Sequence, residues 1–154
     1  LILTFFVMAP TFNKINDTAF QPYMNNKITQ EVAIERAMTP LRDFMLRYTE
    51  QKELALFVTM SKIDKSQIKK PQDTPTYILL PAFIITELKT AFKIGFMIFI
   101  PFLVIDIVVS SILVAMGMMF LPPSIIATPF KIILFVMIDG WYLITKSLLE
   151  GFIV

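Results

Sequence analysis

The sequence predicts an all-α integral membrane protein in which a helical hairpin joins a small polar helical domain. Three observations predict it. The last third is almost wholly apolar: residues 94–121 hold one charge, Asp106, and residues 124–145 hold two, Lys131 and Asp139. Apolar stretches beyond about 18 residues read as membrane-embedded helices. Between the two stretches lies Leu121-Pro122-Pro123-Ser124, and two successive prolines remove two backbone donors, so a helix must break there. Upstream, Leu41, Phe44, Met45 and Tyr48 fall at i, i+3, i+4 and i+7, the stripe of a one-sided helix in otherwise polar sequence.

Composition agrees. The 154 residues are 56% hydrophobic, with a mean hydropathy of +0.70, against about 45–50% apolar in soluble domains. The net charge is +2, and the excess lies in residues 13–76, where ten Lys/Arg stand against eight Asp/Glu. So balanced a polar region leaves no nucleic-acid footprint. The sequence has no cysteine, which excludes a disulfide framework and Cys-ligated zinc or iron–sulfur sites. It has no histidine, the commonest general base and metal ligand. No cofactor or metal is expected.

In chain order, residues 1–12 are apolar and follow no basic n-region. They read as the end of a truncated membrane helix, so the sequence is expected to be an internal piece of a longer protein. Residues 13–76 form the polar domain. Thr29 can cap a helix through Met38, and Thr39-Pro40 offers a second cap with Pro at the first helical position. Asp43 and Arg47 add a favourable i,i+4 pair, and Leu54, Phe57 and Val58 mark a further short helix. Residues 61–76, with four lysines and two prolines, read as a flexible connector. The domain is too small for a rich core. It is expected to pack on sister copies or on the membrane helices, with a self-contained domain as the alternative. Residues 77–154 form the apolar hairpin, mixed as far as Lys93 and apolar beyond.

The hairpin's lengths are unusual. Residues 94–121 as one helix would run about 42 Å, against a hydrocarbon core of about 30 Å. The clean apolar stretch between Lys131 and Asp139 is only seven residues. Burial in a protein assembly, or a kink at Pro101, accounts for this better than lipid-facing spans. With the turn centred between Pro122 and Pro123, Asp106 and Asp139 lie level. They must then face different directions, find basic partners, or have one of the two protonated. Lys131 would lie opposite Val114, and its partner would come from another helix or another chain. A charge in such a setting costs about 2.5–3.5 kcal/mol, so the survivors are candidates for ion pairs buried at subunit interfaces. Beside the turn, Met116, Met118, Met119 and Phe120 follow or flank Gly117. They are either ordinary packing or, repeated around several copies, a soft constriction that excludes water.

Several motifs resemble the FliP family, the flagellar type III export-gate proteins with their injectisome relatives. They are Pro81-Ala82-Phe83-Ile84-Ile85-Thr86-Glu87-Leu88-Lys89, then Gly95-Phe96-Met97-Ile98-Phe99-Ile100-Pro101-Phe102 followed by Asp106. Pro129-Phe130-Lys131, running to Asp139-Gly140-Trp141, and Pro40-Leu41-Arg42-Asp43-Phe44-Met45-Leu46-Arg47 complete the set. The resemblance implies a non-enzymatic pore subunit of the bacterial inner membrane and flagellar basal body, with the polar domain periplasmic. About five sister copies would join FliQ-like and FliR-like membrane subunits in a closed helical ring, next to other export-apparatus membrane proteins and membrane lipid. Unfolded flagellar subunits would pass through its centre. It maps a pore gasket onto Met118, Met119 and Phe120, where the family often has a third methionine in place of Phe120. Glu87, Lys89, Pro129, Gly140 and Trp141 are the other motif positions.

Two other functions compete. A proton-coupled transporter or ion channel would use Asp106 and Asp139, although the chain shows one hairpin and no second related half. A membrane enzyme would need a serine–lysine pair from Ser110, Ser111, Lys146 and Ser147, whose spacing matches no motif. The sequence carries no Walker-type phosphate loop.

Overall fold

The computed structural model describes residues 1–61, 70–118 and 120–153, and every regular element among them is helical. The order is α1 (Ile2–Ile15), a π turn (Asn16–Phe20), α2 (Gln21–Met24), α3 (Gln30–Tyr48), α4 (Gln51–Met60), a 3-10 turn (Pro71–Asp73), α5 (Thr76–Ala115), α6 (Pro123–Met137) and α7 (Gly140–Ile153). The chain forms two units, Leu1–Lys89 and Thr90–Val154. The division falls inside α5, not at the change of composition near Thr76.

In the first unit, α1 passes through the π turn into α2. A π turn carries one extra residue. Ala19 is buried there, and its small side chain lets α3 pack against the turn. Pro22 sits in the first turn of α2, where its missing donor is no loss.

Helix α3 departs from expectation. Thr29 precedes it in extended conformation, but no break occurs at Thr39-Pro40, and Pro40 lies inside one 19-residue helix. An interior proline costs about 3 kcal/mol. The stripe offsets it: Met45 is buried, and Leu41, Phe44 and Tyr48 are half-buried. Each large apolar side chain fully buried contributes about 1.5–3 kcal/mol. Phe44 meets Phe83 of α5 edge-on at 6.0 Å and Tyr48 at 4.9 Å. Ile78, Leu79 and Ala82, in the first turns of α5, are buried. The polar domain therefore packs on the start of the long apolar helix.

The connector is also more ordered than expected over its last residues. The Lys70 N–H donates to the Asp73 carboxylate at 2.9 Å and caps the 3-10 turn. Residues 62–69 lie outside the described residues.

Helix α5 has 40 residues and is the one helix among the described residues long and apolar enough to cross a membrane. At 1.5 Å per residue it runs about 60 Å, twice the hydrocarbon core, and it continues through Pro81 and Pro101. It ends at Ala115, before the prolines. Gly117 has φ +74°, the Gly117 N–H donates to Val114 O, and the Met118 N–H donates to Leu113 O at 2.9 Å. This is a Schellman stop, which needs a left-handed residue. Pro122 and Pro123 then begin α6 rather than end α5, with Pro123 in the first turn. The turn is therefore centred several residues earlier than assumed, and the facing pairs shift with it.

The second arm is not one helix. α6 and α7 are bent by 63° at Ile138 and Asp139. Asp139 has φ +51°. Asp tolerates this left-handed conformation better than most residues, but a non-glycine there still costs about 1–2 kcal/mol. Gly140 is required for space: a Cβ there would lie 2.3 Å from the ring of Phe135.

The Schellman stop gives a direct check. Gly117→Ala is expected to destabilise the protein by about 1 kcal/mol, and Gly117→Asn by less, because Asn enters the left-handed region more readily. Thermal midpoints in detergent, followed by circular dichroism, measure both.

Candidate functional site

The charges in the apolar helices define the first cluster. Lys131 Nζ lies 2.7 Å from Asp106 Oδ1, and both side chains are about two-thirds to three-quarters covered. Lys131 thus finds its partner on α5 of the same chain, not opposite Val114. One helical turn away, Phe102 stacks on Phe135 with centroids 6.2 Å apart. Phe102 lies four residues before Asp106, and Phe135 four after Lys131, so the contacts run in opposite order along the two helices. An uncompensated charge here would carry the full desolvation penalty, and pairing removes most of it. An open groove beside the pair is lined by Ile107, Ser110, Ser111, Val114, Pro123 and Ser124. The Ser111 hydroxyl donates to Ile107 O at 2.8 Å, and the Lys146 ammonium lies 3.6 Å from Glu150.

Asp139 is not brought to this cluster. It is exposed at the α6–α7 bend and has no ion-pair partner among the described residues. Beside it, Gly140 is buried under Phe135, and Trp141 meets the Phe135 ring edge-on at 5.3 Å. Pro129 lies inside α6, where it removes the donor to Ile125 O.

The turn carries the second feature. Met116 and Met118 are exposed, and Phe120 is 100% exposed. So much apolar surface at a chain reversal makes the turn a candidate contact site. Met119 lies outside the described residues.

The third cluster fastens the polar domain to the start of α5. Lys89 Nζ bonds Glu50 Oε2 and, at 3.1 Å, Glu53 Oε1. The Glu50 N–H donates to Thr86 Oγ1 at 3.2 Å, and the Thr86 hydroxyl donates to Ala82 O. Glu50 and Glu53 stand at the start of α4, where the helix dipole favours negative charge. The Lys89 ammonium beside Glu53 holds that carboxyl below its ordinary value of 4.5. Glu87 is half-buried nearby in sequence. Arg42 forms a second fastening, donating to Thr76 Oγ1, to Gln72 O at 2.9 Å and to Thr74 O at 2.7 Å. In the sequence Arg42 stands out only as part of the Pro40–Arg47 motif. Its signal was a basic residue beside the apolar stripe of α3. The Phe102–Phe135 stack had no signal without the register.

Among the described residues no group of three or more His, Cys, Asp or Glu is placed to hold a metal. An all-helical chain with a membrane-length helix, and with a charge pair held between apolar helices, is a helical membrane protein. The sequence model of the FliP family matches residues 1–148, and the chain belongs to that family. It is 58% identical to the flagellar biosynthetic protein FliP of Bacillus subtilis, over 99% of this chain and 68% of that protein. It is 52% identical to the FliP of Pectobacterium carotovorum, over 99% of this chain and 58% of that protein. The FliP of Aquifex aeolicus is 45% identical, over 99% of this chain and 64% of that protein. The chain thus spans between 58% and 68% of the length of these relatives.

Two outcomes test these clusters. Lys131→Met, which leaves Asp106 uncompensated, is expected to cost about 1–3 kcal/mol, between the surface-pair and buried-pair ranges because both groups keep some solvent. The exchange Asp106→Lys with Lys131→Asp should recover much of the loss, read as the thermal midpoint in detergent. Glu53 gives a pH dependence. Its folded carboxyl titrates below its unfolded value, so its contact with Lys89 stabilises fully above pH 4.5 and fades as pH falls through the lower folded value. The difference in midpoint between wild type and Glu53→Gln should therefore be constant near neutrality and narrow in acid.

Proposed function

We propose that this chain is the structural pore subunit of the flagellar type III protein export gate, passing unfolded flagellar subunits across the bacterial inner membrane. The observation that carries the reading is identity of 45–58% to flagellar biosynthetic FliP proteins over 99% of the chain. In this reading α5 and α6 form a helical hairpin. About five copies assemble in a closed ring with FliQ-like and FliR-like subunits and other export-apparatus membrane proteins, in the inner membrane at the flagellar basal body. Residues 13–76 face the periplasm.

The physical pattern supports assembly. Along α5, Phe92, Phe96, Met97, Phe99, Val104 and Ile107 are exposed, and a 60 Å helix exceeds what lipid alone covers. Phe120, fully exposed at the turn, with Met118 and Met119, supplies the soft apolar material of a gasket that closes the pore by excluding water. Glu87, Lys89, Pro129, Gly140 and Trp141 are structural supports for the hairpin and its junction with the polar domain. Asp106, Lys131 and Asp139 lie near subunit interfaces. The competing proton-transport reading loses weight at Asp106, whose carboxylate is engaged by Lys131 of the same chain at 2.7 Å.

Native mass spectrometry of the full-length protein, co-expressed with its neighbouring export genes, tests the assembly. The expected result is one discrete complex of several copies with two smaller membrane partners, and a stable monomer or dimer overturns the reading. Replacing Met118, Met119 and Phe120 together by Ala should leave that complex intact and make membranes leaky to small ions. Asp139→Asn separates pore from transporter: unchanged assembly with a specific loss of proton flux would favour transport.

A further inference from the structure

We propose that the α6–α7 elbow at Asp139–Gly140 is a two-state joint, latched bent by the Phe135 ring, whose other state joins α6 and α7 into one membrane-length helix. The inference stands independently of the export-gate reading.

The bend of 63° is built on two residues. Asp139 is held at φ +51°, one of two non-glycine residues with positive φ among those described. Such outliers persist where the surroundings over-determine them. Here the surroundings are one aromatic ring. Phe135 stacks on Phe102 of α5 at 6.2 Å, meets Trp141 of α7 edge-on at 5.3 Å, and fills the space that a Cβ on residue 140 would need. It therefore touches all three helices at the joint.

The local sequence does not otherwise require a bend. Residues 130–139 contain no proline or glycine, and the apolar run resumes at Trp141. Length distinguishes the two states. α6 has 15 residues and α7 has 14, so each runs only about 21–23 Å, short of a hydrocarbon core of about 30 Å. Joined, they run about 45 Å and cross it. The moving part is α7. α6 is anchored to α5 by the Lys131–Asp106 pair, one turn from Phe135 on the side away from the elbow. Asp139 is exposed and has no ion-pair partner among the described residues to break. Packed contacts of this kind switch between discrete arrangements rather than bending continuously.

Spin-label distances test the joint in the full-length protein in the membrane, whatever assembly it forms. This stretch has no cysteine, so labels enter at Ile125→Cys and Gly151→Cys, both exposed, the latter facing open space. Labelled copies are diluted with unlabelled ones so that each complex carries a single pair. The bent state should read roughly 6 Å shorter than the straight one. Wild type is expected to show a major short distance and a minor long one. Gly140→Ala, whose Cβ collides with Phe135, should raise the long component several-fold. Phe135→Ala, which removes the latch, should do the same. Asp139→Gly, which relaxes the left-handed residue, should abolish the long component. A single short distance in wild type that neither Gly140→Ala nor Phe135→Ala changes overturns the proposal. Should neither variant assemble, wild type decides, and one short distance alone overturns it.

Discussion

The second unit depends on one constraint: charge in an apolar helix must be neutralised where it stands. Asp106 and Lys131 meet this need for each other at 2.7 Å. Their pairing requires a particular register between α5 and α6, and that register is set by the turn. Gly117 stops α5 at Ala115 and Pro123 starts α6, so Lys131, not Asp139, comes level with Asp106. The same register stacks Phe102 on Phe135. An ion pair gives little net stability when its desolvation is counted, but it penalises every other register by leaving two charges unpaired. Here it specifies an arrangement more than it strengthens one.

The first unit solves a different problem. The polar domain has a narrow apolar stripe and few buried side chains, among them Met45, Ile78, Leu79 and Ala82. Burial alone holds such a domain weakly. Directional bonds supplement it. Arg42 takes the Gln72 and Thr74 carbonyls just before α5 and the Thr76 hydroxyl that opens it, and Lys89 takes two carboxylates at the start of α4. Both fastenings end on α5, so the helix that carries the membrane-length apolar stretch also organises the polar domain.

The apolar surface left exposed is consistent with a subunit that completes its packing elsewhere. Aromatic and aliphatic side chains are exposed along α5, α6 and the intervening turn, with Phe120 the extreme case. Such area in one chain is a liability in water and normal in a membrane or an assembly. Membership of the FliP family fits that physical picture.

The sequence by itself determined the helical class, the membrane-length apolar stretch, the polar domain's amphipathic stripe and the family. These rest on local periodicity, composition and motif, which need no tertiary knowledge. It read the charges in the apolar third as requiring partners, because desolvation cost is a property of the residue. It misjudged the break at Thr39-Pro40, since a proline's local penalty was outweighed by the burial of Met45 and the covering of Phe44 on α5. It placed the turn at the prolines, because a glycine stop looks the same in sequence as a glycine in a run. That error moved Lys131 away from Asp106, since a shift of a few residues at the turn changes every facing pair. The single second arm failed for a related reason. The left-handed Asp139 and the ring of Phe135 over Gly140 depend on Phe102 and Trp141 arriving from two other helices, and only the tertiary structure decides who arrives.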